Sequence, residues 1–297
     1  MSTQADGLSY AVRFSVLAKY FGQLCLVVAV LTIVPLVVSL VHLETQISYR
    51  YAIVILALGG VGRRLGRIAA PREVQVNEAM VIVAFMFFFT PLVMSYPMMG
   101  SGLTFSNALF EAISGSTTTG LSTVNNVEEM SRTFLFSRAW MQWYGGLGIV
   151  VLSLALLIQP GLTAKRFAVN EANPEEDLVG GTKAYARRML VIYSLLSGLG
   201  IVLLLALGIA PFNAVIYAMA SVSTGGFAPH GASLAGLSDG FERFSVILIC
   251  LAGAIPLSYY YGFQRGGATT GHRSAATALA RRDRGGWPVC CWRSALS

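Results

Sequence analysis

Six long apolar stretches most constrain what this chain can fold into, because a bilayer is crossed by about 20 consecutive apolar residues in a helix. Charged residues make up only 12% of the 297 residues, about half the fraction of a soluble domain. This composition argues against a soluble globular enzyme, and the 55% apolar content argues against a disordered chain. We therefore predict an all-α integral membrane protein. Its predicted spans are residues 16–42, 51–61, 79–99, 134–158, 189–209 and 244–261.

Basic residues indicate the orientation of these spans, because loops rich in Lys and Arg stay in the cytoplasm. The two segments on the opposite side, 100–131 and 210–242, contain no Lys or Arg. We therefore predict a multi-pass protein with both termini in the cytoplasm. If the six spans cross the membrane in alternating directions, the following basic residues lie on the cytoplasmic side: Arg13, Lys19, Arg63, Arg64, Arg67, Arg72, Lys165, Arg166, Lys183, Arg187, Arg188 and Arg265.

Two short segments on the outer side have the length of helices that enter a membrane without crossing it. Residues 103–115 and 211–222 are apolar over about a dozen residues, and Pro211 is suited to start a helix. Each segment continues into small hydroxyl residues and glycine, as Ser-Thr-Thr-Thr-Gly-Leu at 116–121 and Ser-Val-Ser-Thr-Gly-Gly-Phe at 221–227. Considered alone, one such segment is better described as a polar external loop rich in small residues.

This order of residues suits the binding of a monovalent cation. The C-terminal end of a half-helix carries partial negative charge, and a following irregular stretch can turn its carbonyl oxygens into a pore. Such carbonyls replace the hydration shell of the ion. Nearby carboxylates would raise the local cation concentration, and we expect this role of Glu111, Glu128, Glu129 and Asp239.

The same order occurs twice, which indicates an internal repeat. Each copy consists of a span, a short apolar helix, a Thr/Ser-Gly segment and a second span. Gly120 and Gly225, which are 105 positions apart, are the expected matching glycines.

These residues resemble the Trk/Ktr/HKT superfamily of potassium transporters, and the TrkH-type bacterial membrane subunit in particular. The resemblance covers about residues 8–265 and lies mainly in three stretches, at 108–124, 138–157 and 211–234. It implies helix–pore-loop–helix repeats around one pore, four in the family, preceded by an extra helix pair. The corresponding units here are a helix pair at 1–72, a first repeat at 73–165 and a second repeat at 166–265.

The resemblance also implies the function and its residues. It implies potassium uptake across the bacterial inner membrane, with K⁺ as the transported ion, no other cofactor and no catalytic residues. The implied partners are the lipid bilayer, a second copy in a homodimer and a cytosolic nucleotide-binding ring of the TrkA or KtrA type, with no nucleic acid. The implied selectivity-filter positions are Thr118, Thr119, Gly120, Ser223, Thr224 and Gly225.

The chain departs from this pattern in having two of the four loops. Residues 266–297 lack a span and are rich in Arg, Gly and Ala, as expected of translation in the wrong frame, or of a disordered cytosolic tail. With half of the filter absent, the sequence does not decide between K⁺ and Na⁺.

Two other functional hypotheses follow from the sequence. The chain could be a truncation product that inserts into the membrane without conducting ions. It could instead be an intramembrane hydrolase, with Ser101 or Ser116 as the nucleophile and His230 as the base.

Overall fold

The computed structural model describes residues 13–70, 75–157 and 177–255 of the chain. These residues form α-helices joined by turns and short 3₁₀ segments, and no strand occurs among them. The helices are α1 Phe14–Val41, α2 Thr45–Gly66, α3 Val76–Met98, α4 Phe105–Ser116, α5 Arg132–Leu157, α6 Asp177–Ala206, α7 Pro211–Val222 and α8 Gly240–Ala254.

Helices α1 and α2 form an antiparallel hairpin that precedes the rest of the fold. Inside it, the Ser48 hydroxyl donates to the Ser39 hydroxyl across 2.8 Å. The start of α1 is held to the start of α3, because the Arg13 side chain donates from Nε to Oε1 of the buried Glu78 across 2.8 Å. The predicted helix pair therefore exists, and it packs on the helices that follow.

The remaining helices form two units of the same kind. Each unit has a long helix, a 12-residue helix, an irregular loop and a second long helix: α3–α4–α5 in the first and α6–α7–α8 in the second. Local sequence explains where the short helices begin. The Thr104 hydroxyl accepts from the Asn107 amide at the start of α4, and Pro211 occupies the first turn of α7, where no amide proton is needed.

The interior brings together side chains of α1 to α5 and α7, around the buried side chains of Tyr51, Phe134 and Ile216. Many large apolar side chains instead face outward, which is the arrangement expected of helices surrounded by lipid tails. Examples are Val30, Leu56, Phe88, Val202 and Leu251.

Three helical segments in the described part of the chain are long and apolar enough to cross a membrane. They are Phe14–Val41, Asn77–Ser101 and Arg187–Ala206, and they coincide with the spans predicted at 16–42, 79–99 and 189–209. The spans predicted at 51–61 and 134–158 lie in α2 and α5, and they stay predictions. The span predicted at 244–261 continues beyond α8 into residues that the structure does not describe.

The predicted unit boundaries, at residues 72/73, 165/166 and 265/266, all involve residues outside the described ranges. The expectations for the tail, 266–297, lie there as well. The helices themselves agree with the predicted order of one helix pair followed by two helix–loop–helix units.

Candidate functional site

Helix α4 ends in a turn that reverses the backbone. The Thr119 amide donates to the Ser114 carbonyl across 2.9 Å, and the Thr118 amide donates to the Gly115 carbonyl across 3.1 Å. This pair of bonds is a Schellman motif, in which one residue takes a left-handed conformation. Thr118 takes it here, with φ of 56°. The first loop, residues 117–126, begins with this turn.

Helix α7 ends in the same turn, which begins the second loop, residues 223–232. The Gly225 amide donates to the Ala220 carbonyl across 2.8 Å, and the Thr224 amide donates to the Ser221 carbonyl across 2.9 Å. Thr224 has a φ of 52°.

The matching turns correct the repeat spacing inferred from sequence. Thr118 matches Thr224, and the glycines with positive φ, Gly120 at 77° and Gly226 at 83°, also match. The offset is therefore 106 positions rather than 105, and Gly225 corresponds to Thr119. The sequence comparison chose the wrong glycine because the second loop offers two adjacent ones.

A left-handed threonine is an unusual feature of both turns. A β-branched residue in this region is a steric outlier, and helices that end this way normally place glycine there. Such strain persists only where the surroundings impose it, and it concentrates at functional positions. Its occurrence at the same place in both loops marks these turns as the candidate site.

The turns also decide where the backbone carbonyls point. In a planar trans peptide the N–H and the C=O point in opposite directions. Because the amides of Thr118 and Thr119 point back into α4, the carbonyls of Thr117 and Thr118 point away from that helix. The same argument directs the carbonyls of Ser223 and Thr224 away from α7. Each loop thus presents consecutive carbonyl oxygens beyond the C-terminal end of a helix, where the helix dipole is negative.

The two loops touch each other at their glycines. A side-chain carbon at Gly120 would collide with the Gly225 carbonyl, so glycine is required there both by space and by its φ. A carbon at Gly226 would meet no atom within 4 Å. Gly225 is buried, whereas Thr224 and Gly226 on either side of it are exposed. The six sequence-predicted positions therefore lie in two adjoining loops, together with Gly226.

Small residues let the long helices support both loops closely. A side-chain carbon at Gly145 of α5 would collide with the backbone of Ser116, the last residue of α4. In the second unit, Gly253 of α8 lies against Val222, the last residue of α7, in the same way. Gly145 and Gly253 thus permit a close contact between a long helix and its neighbour. The partner is the end of a short helix.

An ion pair inside the protein connects the loops to α5. Arg138 Nε lies 3.0 Å from Glu111 Oε2, and the two side chains are 3% and 0% exposed. Glu111 Oε1 accepts from the Ser122 hydroxyl at 2.8 Å and the Thr123 amide at 2.6 Å. The Arg138 guanidinium also lies over the Phe227 ring, 3.9 Å from its centroid.

This pair overturns the expectation for Glu111. Its carboxylate is buried and neutralised by Arg138, so it does not attract cations at a pore mouth. The matching position in α7 is Tyr217, whose hydroxyl donates to the Ser233 carbonyl across 3.0 Å. In both units, therefore, a side chain of the short helix forms hydrogen bonds with the segment that follows the turn, and it holds that segment against the short helix.

Gln142, one turn after Arg138, connects α5 to the second loop. Its Nε2 donates to the Gly225 carbonyl, and its Oε1 accepts from the Phe227 amide across 3.1 Å. The side chain is fully buried. Arg138, Gln142, Gly145 and Gly146 have the spacing of one helix face, and this face lies between the two loops.

Glu128, in the 3₁₀ segment that follows the first loop, contacts the second loop. Its Oε1 accepts from the Gly231 amide across 2.7 Å, and this bond lowers the pKa of the carboxyl group from its ordinary value of 4.5. Asp239 accepts from the Phe241 amide at the start of α8 and so acts as a helix cap. Glu129 accepts from the Asn126 side-chain amide across 3.3 Å, so each of the four carboxylates expected to attract cations has a structural contact of its own.

The hydrolase hypothesis finds no support in these contacts. The Ser116 hydroxyl donates to the Ala112 carbonyl across 2.9 Å, and the Ser101 hydroxyl pairs with Ser131. His230 Nε2 lies 3.3 Å from the Asn213 side-chain nitrogen. Within the described residues, therefore, neither serine is paired with the histidine that would have to activate it.

Comparison with known proteins agrees with this arrangement. The model of the TrkH family, described as cation transport proteins, matches residues 72–263, which is more than half of the chain. The chain belongs to the TrkH family. This family consists of cation transport proteins, in agreement with the expectation of a transporter rather than an enzyme.

Relatives and a solved structure show the same likeness. The Trk system potassium uptake protein TrkI of Halomonas elongata is 30% identical over 270 residues, which cover 86% of this chain and 53% of the relative. TrkG of Escherichia coli, also a Trk system potassium uptake protein, is 27% identical over 237 residues, covering 77% and 47%. The chain thus spans about half the length of these relatives.

The crystal structure of the potassium transporter TrkH from Vibrio parahaemolyticus has the same fold. It matches with a TM-score of 0.67 at 22% identity, over 81% of this chain and 49% of that one. This likeness confirms the helical membrane fold.

Proposed function

We propose that the chain forms part of a potassium-uptake pore, with its two loops as two quarters of the selectivity filter. The single observation that carries this proposal is the repeated turn, which places a left-handed threonine and a positive-φ glycine at matching positions in both loops. Consecutive carbonyls directed away from a helix end can replace the hydration shell of a monovalent cation. The names of the relatives support K⁺ as this ion.

The proposed filter residues are those predicted from sequence, with one addition. They are Thr118, Thr119 and Gly120 in the first loop, and Ser223, Thr224 and Gly225 in the second. Gly226 joins them because it shares the conformation of Gly120 and lies exposed beside Gly225.

The surroundings of the pore are part of the same proposal. We place the chain in the inner membrane of a bacterium as a multi-pass protein with cytoplasmic termini. Its partners would be the lipid bilayer, a second copy in a homodimer, and a cytosolic nucleotide-binding ring of the TrkA or KtrA type. The missing filter quarters would come from further loops of the same kind.

Cation binding gives the most direct test. The purified chain is unfolded by heat in K⁺, Na⁺ or choline at equal ionic strength. A ligand that binds only the folded state at 100 times its Kd raises the free energy of unfolding by about 2.7 kcal/mol, so K⁺ is expected to raise Tm above the choline value. Gly226→Ser, whose new side chain meets no neighbouring atom, is expected to reduce this shift, and Gly208→Ser, at a glycine of similar φ that also meets no atom, is the matched control.

Flux separates binding from transport. The same proteins are reconstituted in liposomes, and K⁺ uptake is measured. Uptake that disappears in Gly226→Ser supports transport by this chain, whereas K⁺ binding without uptake supports the non-conducting alternative. Equal Tm values in K⁺, Na⁺ and choline, together with no uptake, would contradict the proposal.

A further inference from the structure

Gln142 holds the peptide groups on both sides of Gly226. Its Nε2 donates to the Gly225 carbonyl, and its Oε1 accepts from the Phe227 amide across 3.1 Å. The Gly225 amide is also engaged, since it donates to the Ala220 carbonyl across 2.8 Å. The backbone that enters and leaves Gly226 is therefore fixed, although Gly226 itself is exposed.

These bonds decide which way the Gly226 carbonyl points. The Gly226 carbonyl and the Phe227 amide belong to the same peptide group, which is trans. Because the amide of that group points at Gln142, its carbonyl points in the opposite direction, away from α5. Rotating this peptide would turn the carbonyl toward Gln142 and would leave the buried Oε1 without its donor, which is costly.

We propose that Gln142 is a positioning residue, and that by fixing the Gly226 carbonyl it sets the cation preference of the second loop. This inference rests on the proposed function. Only a primary amide at this place satisfies both contacts, because one atom must donate and the other must accept. An apolar side chain of similar size would satisfy neither contact.

The arrangement is specific to the second loop. In the first loop, the side chain of Ser114 donates to the Leu121 carbonyl across 2.6 Å, so that loop is held by its own short helix. Helices α5 and α8 begin at Arg132 and Gly240, 108 positions apart, and the position in α8 that matches Gln142 is Cys250. A thiol cannot make the two bonds of an amide.

The test compares Gln142→Leu and Gln142→Met with the control Ser137→Ala. Ser137 is also buried on α5, but its hydroxyl pairs with the Tyr51 hydroxyl at 2.6 Å and touches neither loop. For each folded protein, Kd values for K⁺ and Na⁺ are obtained from the dependence of Tm on salt concentration. We expect the Na⁺-to-K⁺ ratio of Kd values to fall about tenfold in the Gln142 variants, because one net hydrogen bond no longer holds the carbonyl.

The control is expected to lose stability but keep the wild-type ratio, since it removes a buried hydrogen bond away from the filter. The inference is overturned if the folded Gln142 variants keep the wild-type ratio, or if Ser137→Ala changes it as much. The methionine variant keeps the test available when leucine prevents folding, because its unbranched side chain adapts better to the cavity of glutamine.

A second measurement separates this inference from the proposed function. Hydrogen exchange at the Phe227 amide reports the Gln142 contact whether or not a cation binds. We expect exchange to quicken about tenfold in Gln142→Met and to stay unchanged in Ser137→Ala. If neither K⁺ nor Na⁺ raises the Tm of the wild-type protein above its choline value and no K⁺ uptake occurs, the proposed function fails. Unchanged exchange at Phe227 would instead overturn the positioning role of Gln142.

Discussion

Glu111 and Arg138 form an ion pair inside the protein, with 3.0 Å between Oε2 and Nε. The pair joins α4 to α5, and its members also contact the first loop and the Phe227 ring of the second. It therefore holds both loops to the same long helix.

Removing one partner of this pair should be strongly destabilising. Arg138→Met leaves the Glu111 carboxylate buried without its counter-charge, and we expect the free energy of unfolding to fall by about 3–5 kcal/mol. Adding Glu111→Gln removes the unpaired charge, so the double variant should be more stable than Arg138→Met alone. Unfolding in detergent by denaturant measures both. A double variant less stable than Arg138→Met would contradict this account.

The two positive-φ glycines should respond differently to alanine. Gly226→Ala adds only the cost of a left-handed side chain, about 1–2 kcal/mol. Gly120→Ala adds the same cost and also a collision with the Gly225 backbone, which raises the total by a further 1–3 kcal/mol or so. Thermal unfolding of the two variants side by side measures the difference, and equal losses would argue against the loop-to-loop contact.

The glycines that support the short helices should be equally intolerant of a methyl group. Gly145→Ala and Gly253→Ala would press against the backbones of Ser116 and Val222, and we expect each to lower the free energy of unfolding by about 1–3 kcal/mol. Gly198→Ala in α6 is the matched control. It meets no atom within 4 Å and should stabilise the helix by up to about 1 kcal/mol. A stabilising Gly145→Ala would refute the close contact.

The contact between Glu128 and Gly231 should depend on pH. The Gly231 amide donates to the charged carboxylate, so the folded-state pKa of Glu128 lies below its ordinary value of 4.5. A lowered pKa gives a stabilisation that is complete above the unfolded-state pKa and disappears as the pH falls through the folded-state pKa. Protection of the Gly231 amide from hydrogen exchange should therefore persist above pH 4.5 and decline below it. In Glu128→Gln this pH dependence should be absent.

Local sequence was sufficient to find the short helices. The segment 211–222 coincides with α7, and 103–115 lies within two residues of α4 at each end. Both begin at a residue with a clear local role, Thr104 as a cap and Pro211 in a first turn. The apolar length of 16–42 and 79–99 similarly predicted α1 and α3.

Contacts between distant residues could not be predicted in this way. Glu111 seemed available to attract cations because nothing near it in the sequence carries a positive charge, and Arg138 reaches it only after the chain has folded back through the first loop. Gln142 meets Gly225 from 83 positions away. The left-handed threonines were also missed, since local propensity favours glycine at such a place, and the adjacent glycines of the second loop then shifted the alignment by one position.

The contact between Gly120 and Gly225 has a direction. In the first loop the residue in contact is the glycine with positive φ, whereas in the second loop it is Gly225, which precedes the glycine with positive φ. The two loops therefore use different surfaces and are not related by a twofold axis. A side chain at position 120 would therefore collide with the second loop, whereas one at the matching position 226 would meet no atom within 4 Å. Sequence variation between two loops of one fold can then be uneven for a purely geometric reason: each must fit only the neighbour it faces.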